Sequence, residues 1–214
     1  MKYIIMCGGT YTEWSTPRQL LPVKGEPIVA RTIRLLKENG VDPADIYISS
    51  NDPRFEDFAP VLYHTNRYEA YGHGQNNGAW VDAFYLTDEP VTYLFGDVVF
   101  SPEAIRTIVE TEVPVIELFA SAPPFPPMYP KPWAEPFALK VTATNYFRTC
   151  ISACRNYHKQ GLFRRDPIMW ELWQVITLGK LNEIDYNSYA VINDYTCDVD
   201  GEEDLRKIEE AMQR

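Results

Sequence analysis

Tyr3-Ile4-Ile5-Met6-Cys7-Gly8-Gly9-Thr10 is the stretch from which the rest of the chain can be placed. Five apolar or aromatic residues make a short strand of the buried type, and two glycines end it. Glycine accepts positive φ and carries no Cβ, so a strand that ends this way lets backbone come close to a ligand, as in a phosphate site. Short glycine motifs also recur by chance, and a plain turn at Gly8-Gly9 is the equal alternative at this point.

The segments after Thr10 set the topology. A polar segment, Tyr11 to Gln19, leads to Leu20-Leu21-Pro22-Val23 and the turn Lys24-Gly25-Glu26-Pro27. Ile28, Val29, Ile33 and Leu36 then fall on one helical face, and Gly40 is placed to stop the helix. Asp45 to Ser50 reads as a second strand, broken by Asn51-Asp52-Pro53. Strand, helix and strand at this spacing form a βαβ unit, which makes the two strands parallel.

Further strands are expected at Val61 to His64, Val91 to Phe95, Pro114 to Ser121, Phe137 to Val141 and Tyr189 to Ile192. Helices are expected at Ala79 to Leu86, after Ser101-Pro102-Glu103, at Asn145 to Gln160, at Pro167 to Leu178 and after Asp200. Ser101 is the N-cap and Pro102 the first helical residue of the second of these. Pro167 to Leu178 is apolar nearly all round, which asks for burial against the sheet or against a second copy in a homodimer. Seven prolines between Ala122 and Pro136 read as a rigid covering loop, whether lid, recognition stretch or surface packing. The expected fold is α/β, one domain over residues 1–214, a mostly parallel central sheet flanked by helices.

Composition narrows the function. The 214 residues are 45% hydrophobic, enough for a sizeable core, and carry a net charge of −10. Thirty acids against twenty bases argue against nucleic acid or an anionic membrane, whose phosphates need clustered Lys and Arg. A phosphorylated ligand must then be small. The apolar run before Gly8 is too short for a secretory or membrane-spanning segment, which predicts a soluble cytoplasmic protein. Cys7, Cys150, Cys154 and Cys197 include no CxxC pair, and two small buried residues is the simplest reading of Cys150 and Cys154.

In an open parallel sheet, ligands sit at the carboxyl ends of strands, so Asp97 points into the same crevice as Gly8-Gly9. It suits Mg²⁺, although a turn or cap role is common for an acid in this position. Asp200 with Glu203 makes a capping box for the last helix, which leaves Asp198 unexplained. Between Thr65 and Gly78, Asn76 or Asn77 can cap the following helix, while Gln75 and the remaining Asn carry paired donors and acceptors that suit a base edge or simply hydrate a loop.

Taken together, the strand, the Gly-Gly loop, Pro17-Arg18, Leu20-Leu21-Pro22-Val23, the turn and the helix resemble the nucleotidyltransferases of the GT-A-like, Rossmann-like α/β fold. These include the sugar-phosphate nucleotidyltransferases, the molybdenum-cofactor guanylyltransferase and the choline-phosphate cytidylyltransferases. Gly96-Asp97 is similar to the family's metal-binding Gly-Asp, and Asp198-Val199-Asp200 with Glu203-Asp204-Leu205 to its closing element. The resemblance implies Mg²⁺-dependent transfer from a nucleoside triphosphate, CTP favoured, to a small phosphorylated acceptor such as an alcohol phosphate, phosphonate or sugar phosphate used in surface glycans. It places Cys7, Gly8, Gly9, Thr10, Gln75 and Asn76 on the nucleotide, Arg18 and Lys24 in catalysis, and Asp97 and Asp200 on the metal.

The chain also departs from the family pattern. The family loop continues Gly-Thr/Ser-Arg, whereas here Tyr11 stands for the glycine and Glu13 for the arginine, which removes a cation and adds an acid near the triphosphate. Two other readings share the fold. A GT-A glycosyltransferase using a nucleotide sugar would need an Asp-x-Asp after the central strand, and Gly96-Asp97-Val98-Val99 lacks the second acid. A non-catalytic nucleotide-binding domain would fit Tyr11 and Glu13.

Overall fold

The computed structural model describes residues 1–8, 16–64, 79–123 and 133–213. Strand β1 (Lys2–Met6) lies at the middle of a seven-stranded sheet, with Ile4 and Ile5 fully buried. It pairs in parallel with β4 (Ile46–Ser50) on one side and β6 (Val91–Phe95) on the other. Every residue of β6 is buried, the pattern of a strand covered on both faces. Strand β5 (Val61–Tyr63) extends the sheet beyond β4, also in parallel.

On the far side of β6 comes β9 (Pro136–Val141), the antiparallel member, then β8 (Ile116–Ala120), and at the edge β10 (Ala190–Val191), parallel to β8. The order β10-β8-β9-β6-β1-β4-β5 bears out the mostly parallel α/β expectation. The chain first winds outward from β1 through β4 to β5, then returns to β6 on the opposite side. The carboxyl ends of β1 and β6 therefore flank a topological switch point, where α/β sheets open a crevice. Two small antiparallel pairs complete the strands: β2 (Pro22–Val23) with β3 (Glu26–Pro27), and β7 (Val98–Val99) with β11 (Cys197–Asp198).

Helix α1 (Ile28–Glu38) buries the expected face, and Gly40 closes it with φ +81°, a conformation that costs glycine little. Helix α2 (Pro102–Glu110) starts as its sequence demands, with the Ser101 hydroxyl accepting from the Ala104 N–H. Its far end is tied down by Lys140 of β9, whose buried ammonium donates to the carbonyls of Ile108, Val109 and Thr111. Cations are favoured at helix carboxyl ends, and this one also pins α2 to the sheet.

Helix α3 (Thr144–Lys159) ends at Gly161, which has φ +67°. The apolar stretch after Pro167 forms α4 (Met169–Ile176), shorter than expected, with all eight residues buried inside the chain itself. Its burial thus needs no second copy. Helix α5 (Glu202–Ala211) differs at its start from the expected capping box: Asp204, not Glu203, reaches back, and its Oδ2 accepts from the N–H groups of Asp200 and Gly201. Glu203 instead pairs with Arg206.

The helical pattern from Ala79 yields only a 3₁₀ turn, Ala79–Ala83. The Asp82 carbonyl is taken by His64 Nε2 at 2.5 Å and that of Tyr85 by the Tyr93 hydroxyl at 2.8 Å, so side chains from elsewhere take carbonyls that a longer helix would use for itself. Beneath it, Phe84 meets Tyr93 and Phe147 with ring centroids 4.9 and 5.2 Å away, edge to face. None of the helices among the described residues is long and apolar enough to cross a membrane.

Where β6 ends, space is short. A Cβ on Gly96 would lie 2.3 Å from the Met6 carbonyl oxygen and 2.9 Å from Cys7 Sγ. The first of these is backbone and cannot step aside. Gly96→Ala should therefore destabilise the protein by about 2 kcal/mol or more, read from the urea midpoint, a cost typical of forced overpacking.

Candidate functional site

The site is built where β1 and β6 end. The Gly96 N–H donates to the Met6 carbonyl at 3.0 Å, carrying the parallel pairing one residue past each strand, so Gly8 and Asp97 leave the sheet side by side. Both backbone groups of Cys7 are engaged, its N–H on the Ser49 carbonyl and its carbonyl by the Ser50 hydroxyl. Its thiol is buried, and burial first, with the Asp97 charge second, pushes it well above the ordinary thiol range.

The closing segment of the chain meets this end of β6. Asp198 pairs with Val98 through β11 and β7, and the Val199 N–H donates to the Asp97 carbonyl at 2.9 Å. That backbone bond sets Asp97 beside the Asp198-Val199-Asp200 segment. Arg18, in the 3₁₀ turn Arg18–Leu20, closes the group from the β1 side. Its Nη1 donates to Asp200 Oδ1 at 2.9 Å and to the Val199 carbonyl at 3.2 Å. Arg18 and Asp200, far apart in sequence, thus meet on a segment whose Val199 N–H holds the Asp97 carbonyl, and the acid that lines a cavity together with Asp97 is Asp198. The acid placed on the metal by resemblance is, in this structure, also the partner of the cation placed on phosphate.

Lys24 is elsewhere. It occupies the first position of the β2–β3 turn with φ +48°, followed by Gly25 at φ +83°, the paired positive φ values of a tight hairpin. Its N–H donates to Glu209 Oε1 at 2.7 Å, so it docks the hairpin on α5 and does not join the group around Asp97. Gly9, Thr10, Gln75 and Asn76 lie outside the described residues, as do Tyr11, Glu13 and most of the proline run.

Beside Asp97 opens a cavity of about 450 Å³. Phe95, Asp97 and Val98 form one wall, and Trp133, Glu135 and Pro136, leading into β9, form another. Arg165, Ile168, Met169 and Trp170 come from the start of α4, with Trp80, Ile184 and Asp198 closing the remainder. Trp80 stands edge-on to Phe84 and Phe95 at 5.6 and 5.8 Å, and Trp170 is tilted against Tyr189 at 5.5 Å. Trp133 Nε1 donates to Glu135 Oε1 at 2.6 Å, and the Glu135 N–H donates to the Ser121 hydroxyl at 2.9 Å. Arg165 Nε donates to Glu171 Oε1 at 2.6 Å, while Glu171 Oε2 accepts the Ile168 N–H at 3.0 Å and so caps α4.

Trp80, Glu135 and Arg165 carry no local motif and are missed by reading along the chain. Trp133 and Trp170 are visible there only as costly aromatics in a proline run and an apolar helix. Their shared wall exists because α4 and the entry to β9 are brought to the same end of β6, a long-range fact.

Residues 3–145 match the family model of the MobA-like NTP transferase domain. The chain belongs to the MobA-like NTP transferase family. No curated protein matches it. Among solved structures, this NTP transferase is similar to a Bacillus anthracis protein described as a glucose-1-phosphate thymidylyltransferase, in complex with sucrose, at 18% identity and TM-score 0.59, covering 98% of this chain and 94% of that one. It is also similar to the CTP:phosphocholine cytidylyltransferase of Streptococcus pneumoniae, at 16% identity and TM-score 0.53, covering 99% and 98%. A third is the inositol-1-phosphate CTP transferase of T. maritima, at 14% identity and TM-score 0.55, covering 99% and 94%. At such identities the likeness speaks for the fold, and the family match makes this chain a nucleotidyltransferase.

Two measurements check the geometry. Because the Arg18–Asp200 pair is partly exposed, Arg18→Ala and Asp200→Ala should each cost less than about 1 kcal/mol in urea unfolding, and the double variant less than the sum. All four cysteines are buried and unpaired with one another, and burial pushes Cys154 up to about 12. A thiol reagent at mildly alkaline pH should therefore find none in the native NTP transferase and all four in denaturant.

Proposed function

We propose that this NTP transferase joins a nucleoside monophosphate, CMP from CTP by preference, to a small phosphate monoester. An oxygen of the monoester attacks the α-phosphorus of the triphosphate, the bond from that phosphorus to the bridging oxygen of the pyrophosphate breaks, and pyrophosphate leaves with the electron pair. The observation that supports the reading is the Arg18–Asp200 pair at the switch point beside Gly8, on a segment whose Val199 N–H holds the Asp97 carbonyl.

Each residue has a role in this reading. Gly8, with Gly9 and Thr10, offers backbone to the triphosphate, close approach being the property glycine supplies. Arg18 meets the charge that builds on the phosphates, and its planar fork suits phosphate oxygens. Lys24 is left with the structural task of docking its hairpin. Gln75 and Asn76 read the base, and CTP is favoured on the strength of that Asn-containing segment and of the cytidylyl-transferring neighbours.

The donor set also suits Mg²⁺. Hard carboxylate oxygens from Asp97 and Asp200, on segments joined by one backbone bond, fit an ion that takes one or two protein carboxylates and fills its octahedron with water and phosphate. When bound, the ion supplies charge neutralisation to the reacting phosphates. Arg18 then has two anionic neighbours to choose between, Asp200 and the triphosphate. Among the described residues no group of three His, Cys, Asp or Glu is placed to hold a metal ion by itself.

Pyrophosphate release should appear with CTP, Mg²⁺ and a suitable monoester, and should exceed that with ATP, GTP or UTP. Asp97→Ala should lower turnover at least a thousandfold and remove the Mg²⁺-dependent rise in melting temperature that CTP gives, without loss of fold. Normal turnover in that variant would overturn the metal assignment, and no turnover with any of the four triphosphates would overturn the reaction.

A further inference from the structure

We propose that a second, regulatory site lies behind Trp170, and that it takes a flat aromatic ring bearing an uncharged carboxamide. The site stands on its own geometry, and what it regulates rests on the transfer reading above.

A cavity of about 360 Å³ is built wholly between Trp170 and Ser188, from α4 and the loop that follows it. Concave sites of this size, apolar with a few placed polar groups, are where small organic ligands bind. Trp170, Trp173 and Ile184 supply the apolar body. The loop is tied back to α4 by one residue. The Gln174 carbonyl accepts the Gly179 N–H at 2.9 Å and its side-chain Oε1 the Asn182 N–H at 2.5 Å, with Leu178 and Asn182 at φ +56° and +67° to turn the chain.

The polar groups in this wall are each committed in one direction. Gln174 is only 4% exposed, and because its Oε1 takes a backbone N–H, the other end of its amide is the NH₂, which donates to nothing among the described residues. The Thr177 hydroxyl gives its proton to the Trp173 carbonyl, and the Ser188 hydroxyl gives its own to the Asp185 carbonyl. What each hydroxyl has left to offer is a lone pair.

A buried donor without an acceptor is costly, and a ligand that meets it recovers the difference. A primary carboxamide carries the matching set, a carbonyl oxygen for Gln174 and an NH₂ for the two hydroxyls, while its ring gives the indoles an aromatic partner. The charges in the wall already have partners. Lys180 pairs with Glu183 at 3.5 Å, and Asp185 Oδ1 holds the Asn187 N–H at 2.9 Å, which favours a ligand without net charge.

Trp170 and Ile184 are also wall to the cavity beside Asp97. An occupant that pushes either side chain narrows that neighbouring space, which in the transfer reading is where the monoester has room to lie beside the metal. Such a ligand acts only through the difference in affinity it creates between the two sites, and the effect is reciprocal.

Benzamide is the probe, titrated into the protein by calorimetry and tryptophan fluorescence alongside benzamidinium, a cation of the same shape. Benzamide should bind saturably. Gln174→Glu keeps an oxygen for the Asn182 N–H but exchanges the NH₂ for an acceptor, so at alkaline pH, where the new carboxylate is ionised, the ratio of benzamide to benzamidinium affinity should fall at least tenfold. Gln174 also borders an outer groove that Leu178 lines and that is separate from this cavity. Leu178→Ala should therefore leave benzamide binding as it is. Absence of saturable binding, an unchanged ratio in Gln174→Glu, or loss of binding in Leu178→Ala overturns the site.

A second arm tests the regulation. Saturating benzamide should raise the KM of the monoester at least twofold in the pyrophosphate-release assay and leave kcat nearly unchanged. An unchanged KM with the site filled overturns the regulatory role. Saturable binding with the expected Gln174→Glu reversal supports the site even if no triphosphate is consumed, in which case the transfer reading fails alone.

Discussion

The carboxyl ends of β1 and β6 approach so closely that no side chain fits at Gly96, and most of what positions the site depends on that approach. With the Met6 carbonyl 2.3 Å from where a Cβ would stand, the two strands stay paired to their last residues and release Gly8 and Asp97 together. A side chain there would wedge the strand ends apart and separate the glycine loop from the acid. The same closeness lets the next piece of backbone, Val199, reach the Asp97 carbonyl and draw the closing segment into place. A local steric restriction thereby becomes a three-segment assembly.

Charge then organises what geometry has gathered. The chain carries a net charge of −10, and the site lies within that negative field, so each cation near it matters. Arg18 is anchored on Asp200 and the Val199 carbonyl, and Arg165 on the buried Glu171, which also caps α4. In both cases a carboxylate fixes a guanidinium at the edge of a crevice and leaves the arginine's flat fork oriented before a ligand arrives. Orienting such groups in advance is how a protein handles phosphate charge without reorganising during reaction.

The parts of this architecture that could be read from the sequence are those whose causes are local. The buried run Tyr3 to Met6, the apolar face of α1 and its stop at Gly40, and the Ser101-Pro102 start of α2 are written in neighbouring residues, and the parallel order of β1 and β4 comes from their spacing. Where a distant partner intervened, the local signal misled. Asp204 took the capping task that the spacing gave to Asp200 and Glu203, and His64 and Tyr93 took backbone carbonyls that would have carried a helix past Ala83. Lys24 looked like one more cation near the triphosphate, but the hairpin turns it toward α5. Trp80, Glu135 and Arg165 come from three segments that meet only in space, so no spacing along the chain marks them.

The contact between Arg18 and Asp200 spans 182 positions. Six of the seven strands of the main sheet are complete by Val141, and residues 3–145 carry the family match. During synthesis, then, a sheet of nearly full width can assemble while the acid that anchors Arg18 is still unmade, and at ordinary elongation rates of about 5–20 residues per second that acid follows Val141 only after roughly 3–12 s. Until it does, Arg18 has no carboxylate at position 200 to orient it, so the crevice takes its final arrangement of charge among the last steps of synthesis.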